Sequence, residues 1–598
     1  MAIFHKLRSF QAFAARVWAL ALPYFKSEEK WKARGLLASI VLLNLASVYM
    51  LVLLNDWLRL FYDALEQRQA QAFYHQLFRF SYLAASYIVI AVYKFYLTQL
   101  LEIRWRAWMN GHYLQRWLHN HAFYRLELDR FSKFSGIDTQ APDNPDQRIQ
   151  EDLGLFTSYS VSLSMGLLNS LVTLLSFAGI LWVLSGTLDF SFQGMHYEVS
   201  GFMVWMALLY CLVGSVLTHL IGRPLISLNY LQQRFEADFR HHMVRMREYS
   251  ESIALDRGEA VERTYLDNRF TRVLGNYLRL IKAQKKLTWF TVGFGQAAVV
   301  FPLIVAAPRY FSGAIALGEL MQIASAFGRI QDALSWFVDN YNQLAAWRAT
   351  ADRLTRFDDS IVNSAKNDSI TLSSSANGLL AQNLSVTLPT GLVLFGKLSL
   401  RVRPGVNVLI EGPSGSGKST LFRCLAGIWP YASGTLSFPP NAMFVPQRPY
   451  FPNGLLREAL TYPEAATPYS DQQLKQALRD VLLPDLCNQL DAPDAWNQIL
   501  SAGEQQRLAI ARVLLKKPGW VFLDESTSAL DTQAEMLIYQ RLLSLVQEQN
   551  GALVSIAHRH TLRALHQERW IIEPAAVGSA SLYHLHSQSA IQSAGIKP

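Results

Sequence analysis

Residues 36–56 form an almost uninterrupted apolar run, and at about 1.5 Å of rise per residue a helix of that length crosses a hydrocarbon core about 30 Å thick. A bilayer offers the backbone no hydrogen-bond partners, so such a run must fold as a helix. Similar runs occupy residues 80–101, 161–186, 201–222 and 289–310, with a weaker sixth at 314–337. The sequence therefore predicts an all-α six-span transmembrane domain. Composition agrees, since 51% of the 598 residues are hydrophobic and only 17% charged, too apolar for a soluble enzyme.

The formal charge of +9 is explained by where the basic residues fall. Residues 102–160 hold Arg104, Arg106, Arg116, Arg125, Arg130, Lys133 and Arg148, and residues 223–286 end in Arg279, Lys282, Lys285 and Lys286. Residues 187–200 carry Asp189 and Glu198 and no Lys or Arg. Basic loops mark the cytoplasmic side, so both termini are expected inside and no nucleic acid is needed to account for the charge. Residues 1–34 alternate basic with apolar and aromatic residues, without a secretory cleavage pattern. They predict an amphipathic helix on the bilayer surface, with an ordinary solvated helix as rival. Cys211, Cys424 and Cys487 lack metal-ligand spacing and are read as reduced packing residues.

The two long basic segments are periodic, which predicts membrane helices continuing into the cytosol and turning back near residues 141–149 (APDNPDQRI) and 254–259, around Gly258. Their tips either transmit nucleotide state or are plain solvated hairpins. On the sixth span Gln322, Ser325, Arg329, Asp332, Asp339 and Gln343 recur at three- and four-residue steps, interrupted by Trp336, giving a polar stripe on one helix face. Lys94, Thr98 and Glu102 make a row on the second span, and Asn44 and Ser47 a short one on the first. Such groups survive at membrane depth against protein or water. Lys94, Gln322, Ser325, Arg329 and Asp332 are thus candidates for a hydrated cargo cavity, the alternative being helix-to-helix hydrogen bonds.

The expected divisions are a surface segment at 1–34, the membrane domain at 35–358, a Ser- and Asn-rich linker at 359–378, and an α/β domain at 379–598 with a loosely ordered tail of about twenty residues. In that last domain residues 411–421 read EGPSGSGKSTL after a short apolar strand. This is a phosphate-binding loop of the G-x-x-x-x-G-K-S type. Gly412, Gly415 and Gly417 let the backbone N–H groups of the loop, Ser414 within it, wrap round phosphate oxygens. Lys418 reaches the β and γ phosphates, Ser419 offers a hydroxyl to Mg²⁺, and the helix entering through Thr420 points its positive end at the anion. An apolar strand at residues 520–523 then ends in Asp524, suited to hold Mg²⁺, and Glu525, suited to polarise the water attacking ATP. Gln447 can sense Mg²⁺ and that water, and His558 can contact the γ phosphate.

Residues 500–507, LSAGEQQR, complete the set. With the phosphate loop and the SALD at 528–531, this stretch resembles the signature of the ATP-binding-cassette superfamily. AGIWPYASGTLSFP, FVPQRPYFPNGLLREALTYP and DNPDQRIQED are similar to the SbmA/BacA-type transporters that carry their own ATPase domain, and more distantly to the peroxisomal subfamily D. The resemblance spans most of the chain. It implies an exporter-type fold, a homodimer in the bacterial inner membrane, and ATP held between the phosphate loop of one copy and Ser501, Gly503, Glu504 and Asp531 of the other. It further implies inward transport of hydrophilic cargo such as cobalamin, bleomycin-like compounds or peptides; a lipid or fatty-acyl-CoA exporter and an ATP-gated channel are the alternatives. Ala502 and Glu504 depart from the family's glycine and glutamine, and Val386 stands where an aromatic stacks on adenine.

Overall fold

The computed structural model describes residues 2–132, 144–192, 195–364, 369–375, 378–576 and 578–589. The chain divides into two compact units, residues 1–114 with 146–355 and residues 115–145 with 356–598.

The first unit is helical. Helix α1 (Ala2–Lys26) leads into α2 (Lys30–Glu66) and α3 (Ala70–Leu118), and the chain leaves helical geometry at Asn120 before a short α4 (Ala122–Ser132) that belongs to the second unit. It resumes with a single turn, Pro145–Gln147, and a π turn, Arg148–Asp152, opening α5 (Leu153–Ser185). Of the stretch expected to turn back, 141–149, residues 141–143 lie outside the described residues, Asn144 takes φ +51°, and 145–149 belong to the returning helix. Proline favours the first turn of a helix, which suits Pro145 to open it. A hairpin, β1 (Thr187–Phe192) and β2 (Met195–Ser200), joins α5 to α6 (Phe202–Glu248). After the short α7 (Ser250–Leu255) the chain reverses at Arg257 and Gly258, inside the predicted stretch, into α8 (Glu259–Phe311).

Five of these helices are long and apolar enough to cross a membrane. The predicted sixth is α9 (Leu317–Asp339), which falls short on apolarity. Its surroundings explain this. It packs against α2, α5, α6 and α8 and buries Ile323, Ala326, Phe327 and Ile330 among Phe177, Leu181 and Met203, so protein rather than lipid faces much of its surface. The polar rows divide. Lys94 donates to Asn44 Oδ1 at 3.0 Å, Asn44 donates to the Met165 carbonyl at 3.3 Å, and Glu102 bonds Ser158. Gln322 is buried, its carbonyl accepting from Asn55 at 3.4 Å. Ser325 is half-buried, whereas Arg329 and Asp332 are exposed.

Helix α1 is fixed at its far end, where Phe13 meets Trp347 edge-on at 5.4 Å and Tyr24 stacks near Trp105 at 5.9 Å. Both partners bury against protein, although Trp18 is exposed.

Helix α10 (Tyr341–Ser364) begins in the first unit and ends in the second, carrying its last turns through the predicted linker by burying Phe357 and Ile361. The Ser-rich stretch after it forms β3 (Ser369–Ser374), paired in parallel with β7 (Ala432–Phe438). A four-stranded sheet runs β3-β7-β4-β5, with β4 Leu379–Thr387 and β5 Val393–Val402. A six-stranded sheet has β6 (Val408–Glu411), β8 (Ala442–Val445), β9 (Trp520–Asp524), β10 (Ala552–Ile556) and β11 (Glu568–Pro574) parallel, and β12 (Tyr583–Ser589) antiparallel at one edge, in the order β12-β11-β6-β10-β9-β8. The tail expected to be loose thus supplies a paired strand; residues 590–598 lie outside the described residues.

Strand alternation sends side chains to two cores. Val408, Ile410, Trp520, Phe522, Val554 and Ile556 face α11 (Lys418–Leu425) and the four-stranded sheet. Leu409, Val521, Leu523 and Leu553 face α13 (Ala502–Lys516) and α14 (Thr532–Glu548), with α12 (Asp471–Asp480) beyond.

Candidate functional site: a nucleotide cradle at the sheet's carboxyl edge

The parallel strands end on the same side, so the loops after β6, β8, β9 and β10 converge there, which is where open α/β sheets bind ligands. The loop after β6 turns into α11 through Gly417 at φ +86°. A Cβ there would stand 2.4 Å from Leu394 Cδ2, so conformation and close packing both require glycine. Lys418 is buried and donates to the Gly412 and Pro413 carbonyls at 3.0 and 2.9 Å. Burial pulls its ammonium below the usual lysine range, opposed by Glu525 and Asp524. An ammonium held this way gains from an incoming polyphosphate.

Ser419 Oγ donates to Asp524 Oδ1 at 3.1 Å. Burial raises the Asp524 carboxyl above its ordinary value, the neighbouring Glu525 charge raises it further, and the Ser419 bond works the other way. A buried carboxylate beside a second one calls for a cation, and a hydroxyl with a carboxylate is the hard oxygen set that suits Mg²⁺. Glu525 adopts φ +48°, uncommon for a side chain of its type, and its N–H bonds the Ile556 carbonyl at 3.0 Å. Its carboxylate is gripped from both sides: Gln447 Nε2 donates to Oε2 at 2.9 Å and His558 Nε2 meets Oε1 at 2.9 Å. Three loops distant in sequence thus meet on one carboxylate.

Ser501, Gly503, Glu504 and Asp531 serve other partners. Ser501 caps α13, its Oγ accepting from Glu504 N while Glu504 Oε2 accepts from Ser501 N at 2.9 Å and Oγ at 2.7 Å. This reciprocal box holds the Glu504 carboxyl below the usual range, so the departure from glutamine keeps the helix entry closed. Asp531 caps α14 through Ala534 N at 2.8 Å. Among the described residues no hydrogen bond joins these groups to the phosphate loop. Val386, at the adenine position, is fully buried in β4 and offers no stacking face.

Two residues were missed in the sequence. Gln506 is buried and bridges the site: its Nε2 donates to the Glu525 carbonyl at 3.3 Å and Ser528 Oγ at 3.1 Å, and its Oε1 accepts from Ala529 N at 2.9 Å. Arg559 donates to Glu535 at 3.1 Å and the Leu530 carbonyl at 2.7 Å, bracing the SALD turn beside His558. Gln506 stands inside LSAGEQQR and Arg559 directly follows His558, and that adjacency was the available signal. Gln506→Leu removes the partners of Ser528 Oγ and Ala529 N and leaves the Glu525 carbonyl with Ser528 N alone, which should shift the Glu525 loop. Turnover should fall on the order of tenfold to a hundredfold, with KM for ATP little changed, as steady-state phosphate release would measure.

A parallel sheet with a phosphate loop on one face, a strand-end Asp-Glu pair at its carboxyl edge and a capped signature helix on the other face is an ATP-binding-cassette ATPase, here in one chain with membrane helices. Residues 20–311 match the family described as ABC transporter transmembrane region 2, and residues 395–528 the family described as ABC transporter. The chain belongs to the ABC transporters, binds ATP and couples its hydrolysis to transport. It is 33% identical to the inner membrane ABC transporter ATP-binding protein YddA of Escherichia coli over 91% of this chain and 95% of that protein. It is 26% identical to the human lysosomal cobalamin transporter ABCD4, over 78% of this chain and 79% of that one. A bacterial Atm1-family ABC exporter with ATP bound shares the fold at TM-score 0.69 and 16% identity, covering 94% of this chain and 96% of that one.

Proposed function

We propose that two copies of this chain form a half-transporter dimer in a bacterial inner membrane, with both termini cytoplasmic, and move a hydrophilic compound inward. The observation that carries the dimer is the division of the site: the phosphate loop and the signature helix root in opposite cores of one sheet. Each copy therefore contributes half of two composite sites. Lys418 and the loop amides bind the phosphates, with Gly412, Ser414, Gly415, Gly417 and Thr420 shaping the cradle. Ser419, Asp524 and Gln447 hold Mg²⁺, which supplies charge neutralisation at the phosphates. Glu525 takes the proton of the attacking water, His558 and Gln447 keep its carboxylate aimed, and Ser501 and Gly503 of the other copy close on the γ phosphate. Glu504 and Asp531 hold that closing face in shape.

The composite site has a direct test. Lys418→Ala and Gly503→Asp chains, each inactive alone, should recover ATPase activity when co-reconstituted, because mixed dimers keep one intact site. Recovery at the background level would place both lesions in one site and sink the trans arrangement.

Inward movement of a hydrophilic cargo is supported by exposed Arg329 and Asp332 on α9 and by the likeness to a cobalamin transporter. A lipid or acyl-CoA cargo has one observation in its favour, a cavity of about 610 Å³ where His219 and Arg223 stand beside Leu225, Ile226 and Phe337. ATP-driven uptake of labelled cobalamin into proteoliposomes, with Glu525→Gln as control, separates the readings. Accumulation toward the ATPase side supports the first; acyl-CoA-stimulated hydrolysis without cobalamin movement supports the second.

A further inference from the structure

Helices α6 and α8 run beyond their apolar spans as an antiparallel pair. Residues 235–245 lie at least 13 positions past the predicted span end at Gly222, roughly 20 Å further along a helix, so this part of the pair stands in water rather than lipid. The pair is fastened at both ends of a recess. Asn276 Nδ2 donates to Gln232 Oε1 at 2.9 Å and to the Leu228 carbonyl at 3.0 Å at one end. His242 Nε2 meets Glu262 Oε2 at 2.7 Å at the other. Between them Phe239 and Phe270 lie 5.5 Å apart.

The recess encloses about 380 Å³. Arg245 enters it from α6, Arg269 and Arg272 from α8, with His241 and Asn268 beside them and Asp238 as the single lining carboxylate. Among the described residues none of the three arginines has an acidic partner within ion-pair distance, while the nearby Glu262 and Asp267 are engaged by His242 and Arg263. Arg245 and Arg272 are exposed and Arg269 is half-buried, its Nη1 donating to the Tyr265 carbonyl at 3.3 Å, so the three cations converge on the open side of the recess without a paired carboxylate to neutralise them.

We infer that this recess is a binding site for a small, multiply phosphorylated anion, distinct from the ATP cradle and independent of the cargo reading. Guanidinium forks on opposite walls can each take two oxygens of a phosphate group, and a recess near 400 Å³ is at the small end of ligand sites. A bounded recess fits a compact anion better than an acidic peptide, which needs an open groove.

The test uses the full chain in nanodiscs, saturated with ADP to occupy the phosphate loop, titrated calorimetrically with inorganic tripolyphosphate. One anion per chain should bind, and affinity should fall at least tenfold in Arg245→Gln/Arg269→Gln/Arg272→Gln. Should that triple variant fail to fold, Arg269→Gln against Arg269→Lys serves the same purpose, the lysine retaining more binding than the glutamine. Equal affinity in wild type and variants, no saturable binding, or preferential binding of a poly-glutamate peptide would each overturn the proposal. Basal ATPase activity should stay as in wild type.

Discussion

Glu525→Gln is expected to retain ATP binding and lose turnover by on the order of a hundredfold to ten-thousandfold, the contribution of a positioned general base. The geometry makes the substitution clean. Gln447 donates to one carboxylate oxygen and His558 sits on the other; an amide keeps the size and one acceptor but cannot take a proton from water. Its NH₂ would face one of these two neighbours, and a neutral histidine can accept from it after changing tautomer. The backbone fold at φ +48° is as accessible to glutamine as to glutamate. ATP should therefore bind with its ordinary affinity and hold the two copies together, visible as slow phosphate release with undiminished nucleotide retention. Undiminished turnover would remove Glu525 as the base and move attention to His558.

The site was legible in the sequence to the extent that its chemistry is local. A phosphate loop must be contiguous, because its amides have to face one anion, so residues 411–421 could be read without the fold. Asp524 and Glu525 were readable because they end an apolar strand in the same domain as the phosphate loop and LSAGEQQR; a strand-end Asp-Glu pair by itself could simply cap a helix. Gln506 and Arg559 were not, because what they do depends on which turns the sheet topology brings within reach. Arg512 illustrates the same limit. Nothing in the sequence around it sets it apart, yet it is buried, donates to the Ala459 carbonyl at 2.8 and 2.6 Å, and lies 4.4 Å from the Phe451 ring centre and 5.4 Å from that of Tyr462. Burial pulls its guanidinium down to about 10.

In the membrane unit the apolar runs fixed where helices form, since only a helix satisfies the backbone in lipid. The polar rows fixed less. Lys94 and Asn44 were read in rows on two different spans, and their bond depends on a rotation between α2 and α3 that periodicity alone does not supply. The weak sixth run carried real information: α9 is less apolar because other helices surround it, and Trp336, which interrupts its polar stripe, packs so closely on Gly166 that a Cβ there would lie 2.7 Å from the indole nitrogen.

The largest stability effect should come from the start of that same helix. The first N–H groups of α9 have no partners within the helix, and α2 supplies them: Gly318 N bonds Asp63 Oδ1 at 3.0 Å and Leu317 N bonds Glu66 Oε2 at 3.0 Å, while Tyr310 donates to Glu66 Oε1 at 3.2 Å. Carboxylates at a helix N-terminus also meet the positive end of its dipole. This clasp needs the two helices nearly in contact. A Cβ at residue 318 would stand 2.2 Å from the Arg59 carbonyl oxygen and 2.3 Å from Asp63 Oδ1, and the first of these is backbone that no side-chain rotation can move. Gly318→Ala should therefore push α9 away from α2, adding overpacking strain to the loss of charged hydrogen bonds, on the order of 3 kcal/mol or more. Gly328 supplies the internal control, since it lies on the same helix with nothing within 4 Å of its Cβ position. Alanine there should be neutral or stabilise by up to about 1 kcal/mol through helix propensity. Thermal unfolding of the two variants in the same detergent reads the contrast directly, with Gly318→Ala melting well below wild type and Gly328→Ala at or above it. Equal midpoints would mean that the α2–α9 contact opens freely, and the clasp would then hold no part of the bundle together.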